Sequence, residues 1–369
     1  MEVLKTLEVS LQRLFLNLRS CNSISSYKLV KISDHLIKEI GELFSRPVKS
    51  VLFTHVNPDG DAIGTILGLE WFLSALGHHV SMIVPNEIPF YLTWLPGCEK
   101  ILIAQDQYGT SLKALREADL LICVDFNEPD RLDRLKDEFI QSKAIKVLID
   151  HHPGPKDFAD LIISVPEAGS SSELVYNLIV ATGYHHLIDK EIAECFFVGI
   201  MTDTGCFSYN SSNPETYRMV ADLLEKGIDK DGIFNKVYDN YSADRMRLLG
   251  FSLDDKMVII PEYSTAYITL TREELAKYNH VTGDTEGFVN MPFSIKGIKV
   301  TALFLEKEDY IKISFRSRGN FEINKFSEKH FNGGGHKNAA GGESYMSLDE
   351  TIKTFVNLLP LYKHDLSSE

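Results

Sequence analysis

Val51-Leu52-Phe53-Thr54-His55-Val56-Asn57-Pro58-Asp59-Gly60-Asp61 runs a short apolar segment straight into a turn that carries one imidazole and two carboxylates. Pro58 and Gly60 shape that turn. Working outward, the same arrangement recurs. Asp125 closes Leu120-Leu121-Ile122-Cys123-Val124, Asp150-His151-His152 closes Ile145-Lys146-Val147-Leu148-Ile149, and Asp203 follows the apolar run from Cys195 to Met201. Runs of this length read as buried strands. In an open α/β sheet, ligands bind outside the carboxyl ends of the strands. Segments far apart in sequence would then deliver acids and imidazoles to one crevice. So many anions repel one another unless cations lie between them, which implies a two-metal hydrolytic site. Each segment alone is weaker: Asn57-Pro58-Asp59-Gly60 is also a plain surface turn, and Asp125 alone is also a cap.

The pattern around these segments predicts an α/β chain in several pieces. Residues 1–31 form a predicted N-terminal helical extension. From 32 to 245, strand candidates Val51–His55, Val80–Val84, Leu120–Asp125, Lys146–Asp150 and Leu161–Val165 alternate with helical stretches, among them Asp61 to Leu76 with a stop at Gly77. That alternation indicates a parallel sheet with flanking helices. Residues 213–250 look helical, with a start signal at Asn213-Pro214-Glu215. A linker is expected at 246–256. From 257 to 369 the pattern becomes a smaller α+β domain: strands at Met257–Pro261, Ala266–Thr271, Val300–Glu306 and Tyr310–Ser317, then a helix, a glycine-rich loop and a last helix. The active-site cleft is expected between the two domains.

Composition narrows the class. The 369 residues are 44% hydrophobic and 24% charged, ordinary values for a folded enzyme. Net charge is −14, which argues against long-duplex nucleic acid as the main partner and leaves short nucleotides open. Between Pro261 and Ser344 there are 11 basic and 11 acidic residues, so the excess acid lies elsewhere. The five cysteines form no CxxC pair, and Cys123 and Cys195 sit inside apolar runs as reduced core thiols would. No apolar run approaches the roughly 20 residues of a membrane span. Charges at Glu2, Lys5, Glu8 and Arg13 break any signal-peptide core, so a cytoplasmic address without membrane partners is expected. A homodimer is compatible with the sequence, which does not fix oligomeric state.

In the C-terminal part, Gly333-Gly334-Gly335 would let backbone amides approach an anion, and a following helix would add its positive end. His336 is placed to donate to phosphate or to stack on a base, and Arg316 to pair with a phosphate; Arg318 is a weaker candidate. A merely flexible turn is the bland alternative for the glycines. Gly169-Ser170-Ser171-Ser172-Glu173 carries a helix N-cap signal with no assigned role.

The ordered set His55-x-x-x-Asp59-x-Asp61, Asp125, Asp150-His151-His152 and Thr202-Asp203-Thr204-Gly205 resembles the DHH phosphoesterase family. Phe331-Asn332-Gly333-Gly334-Gly335-His336-Lys337-Asn338-Ala339-Ala340-Gly341, with Ser314-Phe315-Arg316-Ser317 before it, is similar to the signature of the DHH-associated C-terminal domain. The likeness runs from about residue 32 to the end and is nearest in type to the bacterial nanoRNase and pAp phosphatase branch. It implies two divalent ions, Mn²⁺ by family habit. His55, Asp59 and Asp125 resemble the ligands of one ion. Asp61, Asp125, His151 and Asp203 resemble those of the other, with Asp125 bridging. The resemblance further implies that Asp150 orients a histidine and that His152 faces the scissile phosphate. Arg316, Ser317, Gly333, Gly334, Gly335 and His336 would bind substrate. The expected substrates are short oligoribonucleotides, linear dinucleotides such as pGpG, and pAp, with GMP-type mononucleotides as products. Alternatives are a cyclic-dinucleotide phosphodiesterase of the same family, an inorganic pyrophosphatase, or a non-catalytic nucleotide-binding protein. Membrane-bound cyclic-dinucleotide enzymes would need transmembrane or sensor segments, and pyrophosphatases lack the glycine-histidine signature.

Overall fold

The computed structural model describes residues 32–367. The expected helical extension at 1–31, and Cys21 with it, lies outside the described residues. The first lobe is built on a six-stranded sheet: β1 (Lys49–Phe53), β2 (His79–Val84), β3 (Leu102–Ile103), β4 (Leu120–Val124), β5 (Ile145–Asp150) and β6 (Leu161–Ser164). Its order is β3-β2-β1-β4-β5-β6, with every pairing parallel. All five side chains of β4 are buried, because helices cover both faces of the sheet. On one face lie helices Gly60–Ala75, Ser171–Ala181 and Lys190–Asp203. On the other, Leu115 and Phe139 of helices Tyr108–Glu117 and Lys136–Gln141 pack with Phe53 and Leu121.

Two helices of the first face meet unusually closely. A Cβ at Gly64 would lie 2.4 Å from the carbonyl oxygen of Cys195, and one at Gly68 would lie 2.3 Å from the Phe196 ring. Only glycine permits that approach, and it draws the Asp203 end of one helix to the Asp61 end of the other. The run Cys195 to Met201, expected as a strand, is the interior of helix Lys190–Asp203. Asp189 caps that helix by accepting from Ile192 N at 3.0 Å. An apolar run does not itself distinguish a buried strand from a buried helix, and 14 residues is helix length. Asp203 therefore reaches the crevice from a helix end.

The second lobe holds another six-stranded sheet: β7 (Met257–Ile260), β8 (Thr265–Leu270), β9 (Val300–Glu306), β10 (Ile311–Ser317), β11 (Gly334–His336) and β12 (Ala339–Ser344). Its order is β11-β12-β10-β9-β8-β7, antiparallel except for β8 with β9. Its core gathers Phe304, Phe315, Phe326, Phe331 and Phe355. The stretch 246–256, expected as a linker, lies largely within helix Ala243–Asp254. Ser242 caps that helix, and Leu248 buries itself against Ile268 and Leu303 of the second sheet. The connection is thus a packed helix rather than an extended strap. No described helix is long and apolar enough to cross a membrane.

Candidate active site

The strand order of the first sheet reverses between β1 and β4, and such a switch point opens a crevice at the carboxyl ends. His55 follows β1 and Asp125 follows β4. Asp59 caps helix Gly60–Ala75, its Oδ1 accepting from the amides of Asp61 and Ala62 at 3.0 and 3.1 Å. Asp125 sits at φ 64, a left-handed conformation that a residue in a tight strand-end turn can hold when its side chain is fixed.

The imidazoles are oriented alike. His55 Nδ1 lies 2.9 Å from the carbonyl oxygen of Val56, and His151 Nδ1 lies 3.2 Å from that of Ala168. Nδ1–H donates in each, which leaves the Nε2 lone pair for the crevice. His55 Nε2 is 3.4 Å from Asp125 Oδ2. His151 Nε2 is 3.4 Å from Asp125 Oδ1, 3.5 Å from Asp203 Oδ2 and 3.9 Å from Asp61 Oδ2. These spacings exceed good hydrogen bonds. They suit donors that share an ion at about 2.0–2.2 Å. Donor atoms of His55, Asp59 and Asp125 lie within 4.8 Å of one another, as do those of Asp61, His151 and Asp203. The residues present fit divalent cations.

Charge points the same way. Burial and the neighbouring Asp125 push Asp61 up to about 7. Burial holds Asp203 well above the carboxylate range, and Asp61 and Asp125 add to that while His151 opposes it. Burial also acts against Asp125, but bonds to His151 and His55 outweigh it and keep its carboxyl well below the ordinary value. Burial disfavours charge on His151, yet Asp203, Asp125 and Asp61 raise it well above the usual value. In the metal-free chain, protons take the place of cations.

The serine stretch is part of the centre. Ser170 caps helix Ser171–Ala181, accepting from Glu173 N at 3.0 Å. The amides of Ser171 and Ser172 donate to Asp61 Oδ2 and Oδ1 at 2.6 and 2.9 Å, and Ser171 Oγ donates to Asp125 Oδ1 at 3.1 Å. The positive end of this helix thus grips the Asp61 carboxylate, and its first hydroxyl holds Asp125. The sequence carried the capping signal but not where the helix points, so these contacts escaped it.

Asp150 is fully buried, and its Oδ1 accepts from His152 Nδ1 at 2.8 Å. Across the cleft, the His336 ring stacks on His152 with centroids 4.2 Å apart at 25°, and lies 4.7 Å from His151. Burial and the two neighbouring histidines lower the His336 pKa to about 2, so its imidazole is neutral. Arg316 rises from β10 beside His336, since Arg316 and His336 both pair with Ala339. Among the described residues its NH1 bonds only the Phe315 carbonyl, at 2.9 Å. Arg316 and Asp203 stay accessible to water although protein surrounds them, as expected in a deep cleft. A second contact joins the lobes: Tyr91 OH donates to Glu286 Oε2 at 2.5 Å.

Two expectations are corrected. Ser317 faces away from Arg316, because successive strand residues point to opposite sides. Its hydroxyl donates to Phe321 O at 2.7 Å and accepts from Asn338 Nδ2 at 2.8 Å, so it fixes a turn. No helix follows the glycines either: Gly334 and Gly335 belong to β11, which turns at Lys337-Asn338 into β12. A Cβ at Gly333 would lie 2.0 Å from Gly341 O, and Gly335 has φ +136. These two glycines permit the close hairpin that aims His336 at the centre. A Cβ at Gly334 would make only ordinary contact with the Glu328 side chain, at 3.9 Å. Arg318 lies over the Phe293 ring and bonds Phe293 O at 3.0 Å.

The model of the DHH family N-terminal domain matches residues 49–200, and that of the DHHA1 domain matches residues 266–359. This chain belongs to the DHH family. Among solved structures, a DHH-fold neighbour described as an exopolyphosphatase-related protein from Bacteroides fragilis is 45% identical, with TM-score 0.88 over 92% of this chain and 99% of that one. The bifunctional oligoribonuclease and PAP phosphatase NrnA of Bacillus subtilis is 28% identical over 314 residues, 85% of this chain and 94% of that protein. The protein of the same name from Thermus thermophilus is 28% identical over 306 residues, 83% of this chain and 86% of that one. The present DHH protein is therefore a phosphoesterase-family hydrolase related to NrnA.

Proposed function

We propose that this DHH phosphoesterase hydrolyses short oligoribonucleotides, linear dinucleotides and the 3′-phosphate of pAp, using two divalent cations. The observation that carries the reading is the meeting of His336 and Arg316 with the carboxylate–imidazole centre across one cleft. His55, Asp59 and Asp125 would hold one ion, and Asp61, Asp125, His151 and Asp203 the other, with Asp125 between them. The donors are hard oxygens and imidazoles without thiolate, which suits Mn²⁺. Two such ions lower the pKa of water and stabilise both attacking and leaving oxygens of an in-line displacement.

The chain's own residues do the rest. The hold of Asp150 on His152 supports a His152 that faces the scissile phosphate and gives a hydrogen bond to it. Arg316 pairs with phosphate, and His336 stacks on a base or donates to phosphate. Closure of the lobes over the centre restricts the cleft to short substrates. The names of the NrnA relatives, oligoribonuclease and PAP phosphatase, support this substrate class. A basic experiment tests the centre. With Mn²⁺, the chain should hydrolyse bis-p-nitrophenyl phosphate, and Asp125→Ala should lose more than the about 10–100-fold typical of an outer-shell change. Retained activity in that variant would remove Asp125 from its bridging place.

A further inference from the structure

Glu173 is 1% exposed and lies at the start of helix Ser171–Ala181, among the serines that hold Asp61 and Asp125. A buried carboxylate is costly unless donors meet its oxygens. The spacing Ser170-x-x-Glu173 suggests a plain reason for it, the capping box, in which the acid takes the amide of the cap residue. Two other helices of this chain do so: Glu274 Oε2 accepts from Thr271 N at 2.9 Å, and Glu350 Oε2 from Ser347 N at 3.1 Å. Glu173 departs from that pattern. Its Oε2 passes the Ser170 amide and accepts from Gly169 N, one residue further back, at 3.1 Å. Thr216, buried in helix Pro214–Glu225, donates to the same oxygen at 3.2 Å. A Cβ at Gly169 would lie 3.0 Å from that oxygen, so the bare glycine lets the carboxylate close on the peptide.

The amide that Glu173 takes belongs to the peptide unit whose carbonyl orients His151. Ala168 O accepts from His151 Nδ1 at 3.2 Å, and Gly169 N is the other pole of that unit. A trans peptide is a rigid plane whose C=O and N–H point in opposite directions. Glu173 therefore holds one edge of a plate and the imidazole hangs from the other. Hydrogen bonds in such a line polarise one another. The second imidazole repeats the device. Val56 O accepts from His55 Nδ1 at 2.9 Å, and Asn57 N, the other pole of that unit, donates to Asn86 Oδ1 at 2.6 Å. Asn86 Nδ2 returns a bond to Asn57 Oδ1 at 2.9 Å, which fixes the amide's orientation. Asn57 has φ 56, a conformation that such a bond helps to hold.

Resting on the cation reading proposed above, we infer that Glu173 and Asn86 are positioning residues, each aiming one metal-facing imidazole through a single peptide. Glu173 sets the direction in which His151 Nε2 meets Asp125 and Asp203, and Asn86 that in which His55 Nε2 meets Asp125. Neither side chain touches a cation. Each belongs to a different ion, and this separates positioning from a general contribution to folding.

Two arms test this on the full chain. In the first, Mn²⁺ binding is titrated calorimetrically, with His151→Ala and His55→Ala as references for the weakening of each ion. Glu173→Ala should weaken the ion that His151→Ala weakens, by about 10–100-fold, and Asn86→Ala the ion that His55→Ala weakens, each sparing the other. Glu173→Gln keeps an acceptor for the Gly169 amide and should restore most of the loss. A variant that weakens both ions alike, or that binds both as the native chain does, overturns the assignment for its histidine. So does a Glu173→Gln as impaired as Glu173→Ala. The second arm needs no metal. In protein with 15N-labelled histidine, the His151 Nδ1 proton should exchange with water about tenfold faster in Glu173→Ala, and the His55 Nδ1 proton in Asn86→Ala. Unchanged exchange overturns the line of bonds. If His151→Ala and His55→Ala themselves leave both ions bound, the cation reading fails, and the exchange arm alone decides whether Glu173 and Asn86 hold the imidazoles.

Discussion

Asp125 shows how much one residue must satisfy. It faces His55 and His151 at 3.4 Å each and accepts from Ser171 Oγ at 3.1 Å. The hydroxyl of Ser171 would fix the angle at which that carboxylate meets a bound cation, while the Ser171 amide holds Asp61. Ser171→Ala removes the first contact and keeps the second. Metal affinity should fall about 10–100-fold, as for other partners that orient a ligand, with little change in melting temperature. A titration of Mn²⁺ binding checks this, and an unchanged affinity would make Ser171 a simple cap. The acids at the ends of β1, β4 and β5 were legible because a strand end fixes where the next residue points. Ser171 was not legible, since its role depends on where a helix aims after folding. Ser317 was decidable in advance. It adjoins Arg316 on a strand, so both cannot face one cleft.

At the scale of elements, the centre depends on two helices that touch through glycine. The methyl of Gly64→Ala would meet the Cys195 carbonyl, a backbone atom that cannot rotate away. The helices must separate, at about 1–3 kcal/mol by analogy with overpacked cores. The Asp203 end then moves relative to Asp61. Thermal melting should show the loss of stability, and metal-dependent hydrolysis should fall with it; a variant of unchanged melting temperature and activity would contradict the account. The sequence did not reveal this contact. Its apolar run at Cys195 to Met201 suits a strand as well as a helix, and only the packed structure decides. The hairpin β11–β12 carries the same lesson: three glycines suggest an anion cradle, whereas two of them serve the backbone's close approach.

At the scale of the molecule, two lobes of different strand pattern, one parallel and one mostly antiparallel, share a single cleft. The lobes and their order were readable from alternation and its change near residue 257. Their closure was not, because His336 on His152 and Tyr91 on Glu286 pair residues distant in sequence. The assembled charge also makes stability depend on pH. Asp61, Asp203 and His151 keep protons in the metal-free fold that the unfolded chain would release. Above the ordinary histidine value of 6.5, the histidines with lowered values (His336, His280 and His330) are neutral in both states and contribute nothing. Metal-free stability should therefore fall as pH rises through about 7 and beyond, because the folded state there binds more protons than the unfolded. Melting in EDTA at about pH 6.5 and about pH 8.5 should show the drop, and Mn²⁺ should abolish it by replacing the protons. A metal-free melting temperature that rises over this range would contradict the charge assignment.

The central claim is hydrolysis of short nucleotides at a two-cation centre closed by the second lobe. The most direct measurement is a turnover panel with Mn²⁺ on pAp, linear and cyclic dinucleotides, pyrophosphate, and single strands of increasing length. The account predicts rapid release of mononucleotides from linear dinucleotides and of phosphate from pAp, with rates falling steeply as the strand lengthens. Equal rates on a trinucleotide and on a long strand, or turnover confined to pyrophosphate, would contradict it.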